Sequence, residues 1–284
     1  MKLTEYNEDQ KKLLNLLKSK NKVFLMIAPS FPIDFEYESF VRKMKKLGFD
    51  KVTELTFGAK IVNKEYREYI NNHPEQKMFI ASVCPTIVTL ITSQFPEYKK
   101  YLLPFESPMT ISAKIVHKHY PNHKIVFLSP CFAKKIEAKK TKIIDLVITF
   151  KEMRQILDNE NPKVSGKRIP FNAFYNEYTK IYPLIGGLAD TMNAHNIFKK
   201  SEIISCDDCK DMKKVLKQFE GKKFLDLLFC KGGCIGGPGI LSQESTQKKK
   251  EKIIEYKRIS EREVIGKRRG VHKLVEGMNF EAKF

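Results

Sequence analysis

Short segments rich in apolar residues alternate along the chain with segments in which apolar positions recur at helical spacing. The apolar segments are predicted to be strands at 23–27, 52–55, 78–81, 124–128, 143–148 and 224–229. The helical periodicity predicts helices near 4–20, 34–47, 59–71, 86–94, 109–120, 150–158 and 212–219. Residues 159–185 show little periodicity and are predicted to form a long loop. Because strands that are apolar on both faces are typical of parallel sheets covered by helices, we expect an α/β fold.

Composition restricts the compartment in which the chain works. The 284 residues are 42% hydrophobic and 30% charged, which is typical of a soluble globular protein. No apolar run approaches the ~20 residues that cross a bilayer. The segment Met1–Tyr6 lacks the apolar core of a secretory signal. We therefore expect a cytoplasmic protein that does not bind membranes.

The charge is strongly basic, with a net value of +19. Such an excess permits binding to nucleic acid, an acidic membrane or an acidic redox partner. The lysines are spread along the whole chain, which favours a solvated surface and makes nucleic acid an unfavoured partner. Residues 246–284 are predicted to be a basic C-terminal tail. Its lysine- and arginine-rich part, 247–269, is predicted to form a solvated helix, with Lys267-Arg268-Arg269 as its sharpest cluster. The alternative is a docking site for an acidic partner or nucleic acid.

Four of the six cysteines directly follow apolar strands. Cys84, Cys131 and the pair Cys230 and Cys234 stand in three separate segments. Because functional groups of parallel sheets gather beyond the carboxyl ends of the strands, we expect these thiols to meet. In a reducing compartment they are more typical of metal ligands than of disulfides. The alternative is a set of buried free thiols.

The pair Cys230 and Cys234 stands among five glycines between residues 227 and 239. Glycines at this density predict a backbone that turns tightly or approaches another group closely. They also allow backbone N–H groups to point at the sulfides of a metal cluster.

The motifs around these cysteines resemble iron-only (FeFe) hydrogenases, specifically their H-cluster domain, from about residue 20 to 241. The resemblance implies two α/β lobes, here within residues 1–245, with a 4Fe–4S cluster in the cleft between them. It further implies that Cys234 bridges the cluster to a two-iron subsite. The matching motifs, in chain order, are Ala28-Pro29-Ser30, Ser82-Val83-Cys84-Pro85, Ser129-Pro130-Cys131-Phe132-Ala133-Lys134-Lys135-Ile136-Glu137 and Cys230-Lys231-Gly232-Gly233-Cys234. The implied cluster ligands are Cys84, Cys131, Cys230 and Cys234.

The resemblance also implies residues that contact the two-iron subsite. Lys134 matches the lysine that contacts a cyanide ligand, and Ala28, Pro29 and Ser30 match the segment near the other cyanide and the dithiolate. A buried ammonium suits an anionic ligand. The alternatives are a surface lysine at position 134 and a helix N-cap at Ser30.

Departures from the hydrogenase pattern fall on the proton path. Val83 replaces the cysteine that hands protons to the two-iron subsite, and a valine cannot carry a proton. The outer relay positions align with Tyr66, Tyr69 and Leu103, although Glu65 and Glu68 lie one residue away. Around the subsite, the hydrogenase residues are replaced by Met109, Ser129 and Leu228. Because hydrogen turnover needs a positioned acid or base, we expect it to be weak or absent.

A second cysteine pair, Cys206 and Cys209, precedes a helical pattern. A Cys-x2-Cys pair binds metals or cycles as a disulfide. The alternative is a structural turn in which Asp207 and Asp208 cap the helix.

These observations together predict a 4Fe–4S protein with a redox, hydrogen-sensing or electron-transfer role. Its expected partner is a redox protein such as a ferredoxin. One alternative is a hydrogenase that carries the full H-cluster and uses a non-standard proton path. A second alternative is a cluster-bearing interaction protein that uses its basic surface.

Overall fold

The computed structural model describes residues 6–175, 178–218, 221–262 and 272–284. The strands within these ranges are β1 (Lys22–Ile27), β2 (Lys51–Glu54), β3 (Phe79–Ile80), β4 (His123–Ser129), β5 (Leu146–Thr149), β6 (Ile203–Cys206) and β7 (Phe224–Leu227). The α-helices are α1 (Glu8–Lys18), α2 (Tyr37–Leu47), α3 (Thr56–Asn72), α4 (Pro85–Gln94), α5 (Pro108–His119), α6 (Ala133–Thr141), α7 (Phe150–Glu160), α8 (Gly187–Thr191), α9 (Met212–Gln218) and α10 (Thr246–Glu261).

Two parallel sheets organise the chain. The first has the order β2-β1-β4-β5 and the second has the order β3-β7-β6. Every residue of β1 after Lys22 is buried, because helices cover the first sheet and leave no solvated face. The predicted α/β fold is therefore confirmed.

The apolar side chains of the described residues form two cores. The larger core surrounds β1, β2, β4 and β5 and also contains Phe79 and Phe224 from the second sheet. The smaller core contains Ile80, Ile87, Leu225 and Leu227 and lies between β3, α4, β7 and α9. Because the larger core packs against both sheets, their carboxyl ends can line one shared cleft.

The sequence pattern missed several short elements. Strand β6 consists of half-buried residues, so its four positions carry no strong apolar signal. Helix α6 is rich in lysine, and Ala138 is its one buried residue. An amphipathic pattern was therefore absent from this helix.

The predicted long loop at 159–185 is packed rather than loose. Phe171, Phe174 and Tyr175 are buried, and Asn172 exchanges hydrogen bonds with Val52 at the edge of β2. Residues 178–181 form a short 3-10 turn. This segment therefore covers the free edge of the first sheet, while 176–177 lie outside the described residues.

The prediction of a solvated helix in the basic tail is wrong for one face of α10. Ile253 and Tyr256 are buried there. The Tyr256 hydroxyl donates to the Glu54 carboxylate at 2.8 Å, and the same carboxylate pairs with the ammonium of Lys180. These contacts fasten α10 to β2. Lys267-Arg268-Arg269 lies outside the described residues.

No helix in the described ranges is both long enough and apolar enough to span a membrane.

Removing the buried cation should destabilise the fold strongly. The Lys180 and Glu54 side chains are fully buried, so Lys180→Met leaves a carboxylate without this ammonium. We expect the free energy of unfolding to fall by about 3–5 kcal/mol, measured by denaturant titration, and a Glu54→Leu/Lys180→Met double variant to lose less. The control is Lys257→Met, since Lys257 forms an exposed pair with Glu261 that contributes under about 0.5 kcal/mol. A Lys180→Met loss as small as that of the control would contradict this account.

Candidate metal centre

A cavity of about 110 Å³ lies where the carboxyl ends of both sheets face each other. It is lined by segments that follow β1, β3, β4 and β7. The four predicted ligands line this one cavity, and they are Cys84, Cys131, Cys230 and Cys234. The structure therefore brings together thiols that lie up to 150 residues apart in the chain.

The environment of these thiols disfavours their ionisation. Burial raises the pKa of Cys131 and Cys234, and that of Cys230 to about 11. The neighbouring thiols add to the shift, because each thiolate repels the others. The ammonium of Lys134 acts in the opposite direction on Cys131 and Cys234. A full set of thiolates in this cavity therefore needs additional positive charge.

The donor set fits a cluster better than a single ion. Among the described residues, no group of three or more His, Cys, Asp or Glu side chains could hold one metal ion. In a 4Fe–4S cluster each thiolate binds a different iron, so the sulfur atoms stand farther apart than around one ion. Four soft thiols that line one apolar cavity without forming a single-ion site match that requirement.

The glycine loop packs against the backbone that carries Cys131. A Cβ atom at Gly237 would lie 2.5 Å from the carbonyl oxygen of Pro130, and the Gly239 N–H donates to that oxygen at 2.8 Å. The predicted close approach is therefore to the chain itself. The N–H groups of Gly233 and Cys234 also donate to carbonyl oxygens, so these amides are not directed at a cluster.

Ser30 is a fully buried residue at the cavity wall. Its hydroxyl has no hydrogen-bond partner within the described ranges. Although Ser30 stands at the N-cap of the 3-10 turn 31–33, it makes no capping hydrogen bond, so the alternative role is not observed. Ala28 and Pro29 line the same wall. A group that fills the cavity would give the orphaned hydroxyl a partner.

Lys134 lines the cavity and is not a surface lysine. Its side chain is 13% exposed and donates to Glu137 at 2.6 Å and to Ser107 at 3.0 Å. Glu137 also accepts a hydrogen bond from Thr110 at 3.1 Å. The cation at the cavity wall is therefore neutralised by a carboxylate, and an anionic ligand would compete with Glu137 for it.

Val83 lies in the cavity wall beside Cys84 and directly follows Ser82, a member of a short buried hydrogen-bond chain. Tyr66 is fully buried, and its hydroxyl lies 2.9 Å from that of Ser82. Ser82 in turn donates to the carbonyl of Phe105 at 2.9 Å. Burial raises the pKa of Tyr66 well above its usual value. This chain therefore ends at the Phe105 carbonyl, and its hydrogen bonds do not include Val83.

The glutamates near the aligned relay positions do not reach the cavity. Glu65 and Glu68 pair with Lys64, and neither lines the cavity wall. Leu103 is fully buried, and Tyr69 stacks on His73 with ring centroids 3.9 Å apart. Met109, Ser129 and Leu228, which replace the hydrogenase residues near the subsite, all line the cavity.

Two buried polar residues near the cavity were not singled out from the sequence. The Tyr182 hydroxyl lines the cavity and lacks a hydrogen-bond partner among the residues described. Asp226 is a buried carboxyl in β7, and burial raises its pKa to about 7. It accepts a long hydrogen bond, 3.4 Å, from the Ala189 N–H. A lone aspartate within an apolar strand is the signal that could have identified it.

Cys206 and Cys209 lie outside the lining of the cavity. They occupy the end of β6 and the turn after it, next to the loop that carries Cys230.

Comparison with known proteins agrees with this geometry. A family described as "Iron only hydrogenase large subunit, C-terminal domain" matches residues 21–238. The Cytosolic Fe-S cluster assembly factor NAR1 of Encephalitozoon cuniculi is 26% identical over 248 residues, which cover 78% of this chain and 66% of that protein. Iron hydrogenase 1 of Clostridium pasteurianum is 28% identical over 171 residues, which cover 53% of this chain and 30% of the hydrogenase. The matches thus span two thirds or less of these curated relatives.

A solved structure shows the same fold. A variant of FeFe-hydrogenase HydA1 from Chlamydomonas reinhardtii superimposes with a TM-score of 0.64 at 16% identity. The superposition covers 86% of this chain and 88% of the hydrogenase chain. The expected hydrogenase-like fold is therefore confirmed.

The four cavity thiols should determine the iron content. We expect anaerobic reconstitution to give about four irons per chain, measured by iron and acid-labile sulfide analysis. Cys131→Ala and Cys230→Ala should each lose most of this iron. The matched control is Cys209→Ala, which removes a thiol outside the cavity and should retain it. Wild-type iron content in either cavity variant would exclude the ligand assignment.

The buried Asp226 should make stability depend on pH. Its folded pKa of about 7 exceeds the usual value of 3.8, so the folded chain holds a proton that the unfolded chain releases. The free energy of unfolding should therefore fall as pH rises from about 4 to 7, by up to about 4 kcal/mol. Denaturant unfolding across this range should show a flatter profile for Asp226→Asn and an unchanged one for the exposed control Asp158→Asn. Parallel profiles for wild type and Asp226→Asn would refute this.

Proposed function

We propose that this chain, which belongs to the family of the iron-only hydrogenase large subunit, C-terminal domain, holds a 4Fe–4S cluster and takes part in the assembly of other iron–sulfur proteins. It does not turn over hydrogen. Cys84, Cys131, Cys230 and Cys234 would hold the cluster. When bound, such a cluster supplies one-electron redox chemistry and a stock of iron and sulfide.

The observation that carries this proposal is the missing acid or base at position 83 of the cavity wall. Val83 lies next to Cys84, and the buried chain from Tyr66 through Ser82 ends at the Phe105 carbonyl. Fast hydrogen chemistry needs a proton donor within hydrogen-bond reach of the reacting atoms. At this point the cavity wall carries the isopropyl side chain of Val83 instead. The cavity is thus suited to holding a cluster rather than to delivering protons.

The relatives support the assembly role. The Encephalitozoon cuniculi protein is a cytosolic Fe–S cluster assembly factor by name, and so is the NAR1 of Eremothecium gossypii, which is 34% identical over 86 residues. We propose that this chain likewise works in the cytosol. Its excess of lysine suits an acidic partner protein.

A second candidate function is electron transfer or hydrogen sensing with a redox partner such as a ferredoxin. It is favoured by the retention of Ser30 and Lys134 at the cavity wall, at the positions that contact the two-iron subsite in the hydrogenase pattern. Infrared bands of CO and CN⁻ in protein isolated without oxygen would favour this second candidate, and their absence would favour the first.

The test combines two measurements on anaerobically reconstituted protein. We expect a 4Fe–4S acceptor protein that lacks its cluster to gain one from this chain. The transfer is measured by circular dichroism and by the recovery of the acceptor's activity.

We expect hydrogen evolution with a strong one-electron donor to be slow or undetectable even after addition of the two-iron subsite, because losing a positioned acid typically lowers the rate about 10²–10⁴-fold. Val83→Cys should restore part of the rate at most, since Tyr66, Tyr69 and Leu103 also depart from the relay.

The controls separate the two activities. Cys131→Ala should transfer no cluster, and Lys213→Ala, an exposed change on α9, should behave as wild type. Hydrogen evolution at the rate of an ordinary hydrogenase, with no transfer to the acceptor, would overturn the proposal.

A further inference from the structure

We propose that Cys206 and Cys209 form a reversible disulfide, with a small-molecule disulfide such as oxidised glutathione as co-reactant, and that its formation loosens the cluster held by the neighbouring loop. The inference rests on the juxtaposition of this dithiol with the loop that carries Cys230.

The two thiols are arranged as an accessible and a shielded partner. Cys206 is partly exposed, whereas Cys209 is fully buried. The Cys206 thiol donates to the Asp207 carbonyl at 3.3 Å, and the Cys209 thiol donates to the Cys206 carbonyl at 3.7 Å, so both thiols lie against the same short turn. Both thiols are free. The exposed thiol can therefore meet an external disulfide while the buried thiol stays within reach of it.

The turn between the cysteines adopts an uncommon backbone conformation. Asp208 has a φ of +53°, in the left-handed region that few residues other than glycine occupy. This conformation folds the chain back so that Cys209 enters the smaller core, against which Cys206 and Cys84 also pack. The dithiol is thus in the same apolar cluster as one of the proposed cluster ligands.

Hydrogen bonds connect this turn to both sides of Cys230. The Leu228 N–H donates to the Cys206 carbonyl at 2.9 Å, and the Cys209 N–H donates to the Leu228 carbonyl at 3.5 Å. The Asp208 N–H donates to the Cys230 carbonyl at 3.5 Å, and the Gly232 N–H donates to the Asp207 carboxylate. A change in the turn therefore alters the backbone that presents the Cys230 thiol.

The chemistry is ordinary thiol–disulfide exchange. The Cys206 sulfur, after losing its proton, attacks the external disulfide, forms a mixed disulfide and expels one thiol. The Cys209 sulfur then attacks the Cys206 sulfur, its proton leaves with the second expelled thiol, and the intramolecular bond closes. The protein loses two electrons, and the external disulfide gains them as two thiols. Burial and the adjacent carboxylates raise the pKa of Cys206, which favours the closed disulfide over the free thiolate.

Closing this bond brings the two sulfur atoms to covalent distance. The turn cannot contract without shifting the carbonyl of Cys206 and the N–H groups of Asp208 and Cys209, which are bonded to the loop 228–232. The oxidised protein should therefore release its cluster faster than the reduced protein.

The test uses the cluster-loaded, full-length protein in anaerobic glutathione buffers of increasing oxidised fraction. Alkylation followed by peptide mass spectrometry should locate a disulfide between Cys206 and Cys209 in the wild type. Cluster absorbance should decay several-fold faster in the oxidised buffer than in the reduced buffer. In Cys206→Ser the decay should be the same in both buffers, and the exposed control Lys213→Ala should follow the wild type.

Cys209→Ala provides a second variant, since it prevents the same disulfide by removing the buried thiol instead of the partly exposed one. Circular dichroism and initial iron content establish that each variant is folded and loaded. Absence of the 206–209 disulfide from oxidised wild type, or equal acceleration of cluster loss in wild type and Cys206→Ser, would overturn the proposal. Neither result depends on cluster transfer or hydrogen evolution, so the proposed function is tested separately.

Discussion

Mutual repulsion and burial oppose the ionisation of the cavity thiols, and this constraint shapes the whole site. The thiols of Cys131, Cys230 and Cys234 line one cavity with Cys84. Burial raises the pKa of these three thiols, Cys84 raises it further for all three, and Cys131 does so for Cys230 and Cys234. Lys134 offers limited compensation, because Glu137 already neutralises it at 2.6 Å. The arrangement becomes favourable when a cationic iron–sulfide core lies between the sulfur atoms. The metal would therefore complete the contact between the two lobes.

The fold holds the thiols in place from both sides of the cleft. Cys131 follows β4 of the first sheet, and Cys84 and Cys230 follow β3 and β7 of the second. Glycines allow the loop after Cys230 to lie directly on Pro130. Where that loop ends, the Asp34 carboxylate accepts hydrogen bonds from the N–H groups of Leu241 and Ser242. The buried pair of Glu54 and Lys180 then attaches α10 to the first sheet. Each contact joins segments that are distant in the sequence.

The sequence predicted the parts of this structure that depend on strong local patterns. The apolar runs predicted the strands that carry Cys84, Cys131 and Cys230, and the order of the motifs predicted the family. The buried face of α10 was not predictable, because Ile253 and Tyr256 stand among lysines and their partners Glu54 and Lys180 come from other segments. The ion pair of Lys134 and Glu137 is local, three residues apart on α6, but it was missed because the lysine-rich sequence did not predict that helix. Nothing local indicated that the N–H groups of Gly233 and Cys234 would donate to carbonyl oxygens.

Mössbauer spectroscopy of iron-labelled protein, loaded and kept without oxygen, tests the central claim most directly, because it distinguishes the kinds of iron that the cavity holds. We predict that all the iron belongs to one thiolate-bound 4Fe–4S cluster, since Val83 places no proton donor beside Cys84 and so fits a cluster that takes no part in hydrogen chemistry. Low-spin iron of a two-iron subsite, or iron present as single thiolate-bound ions, would contradict it.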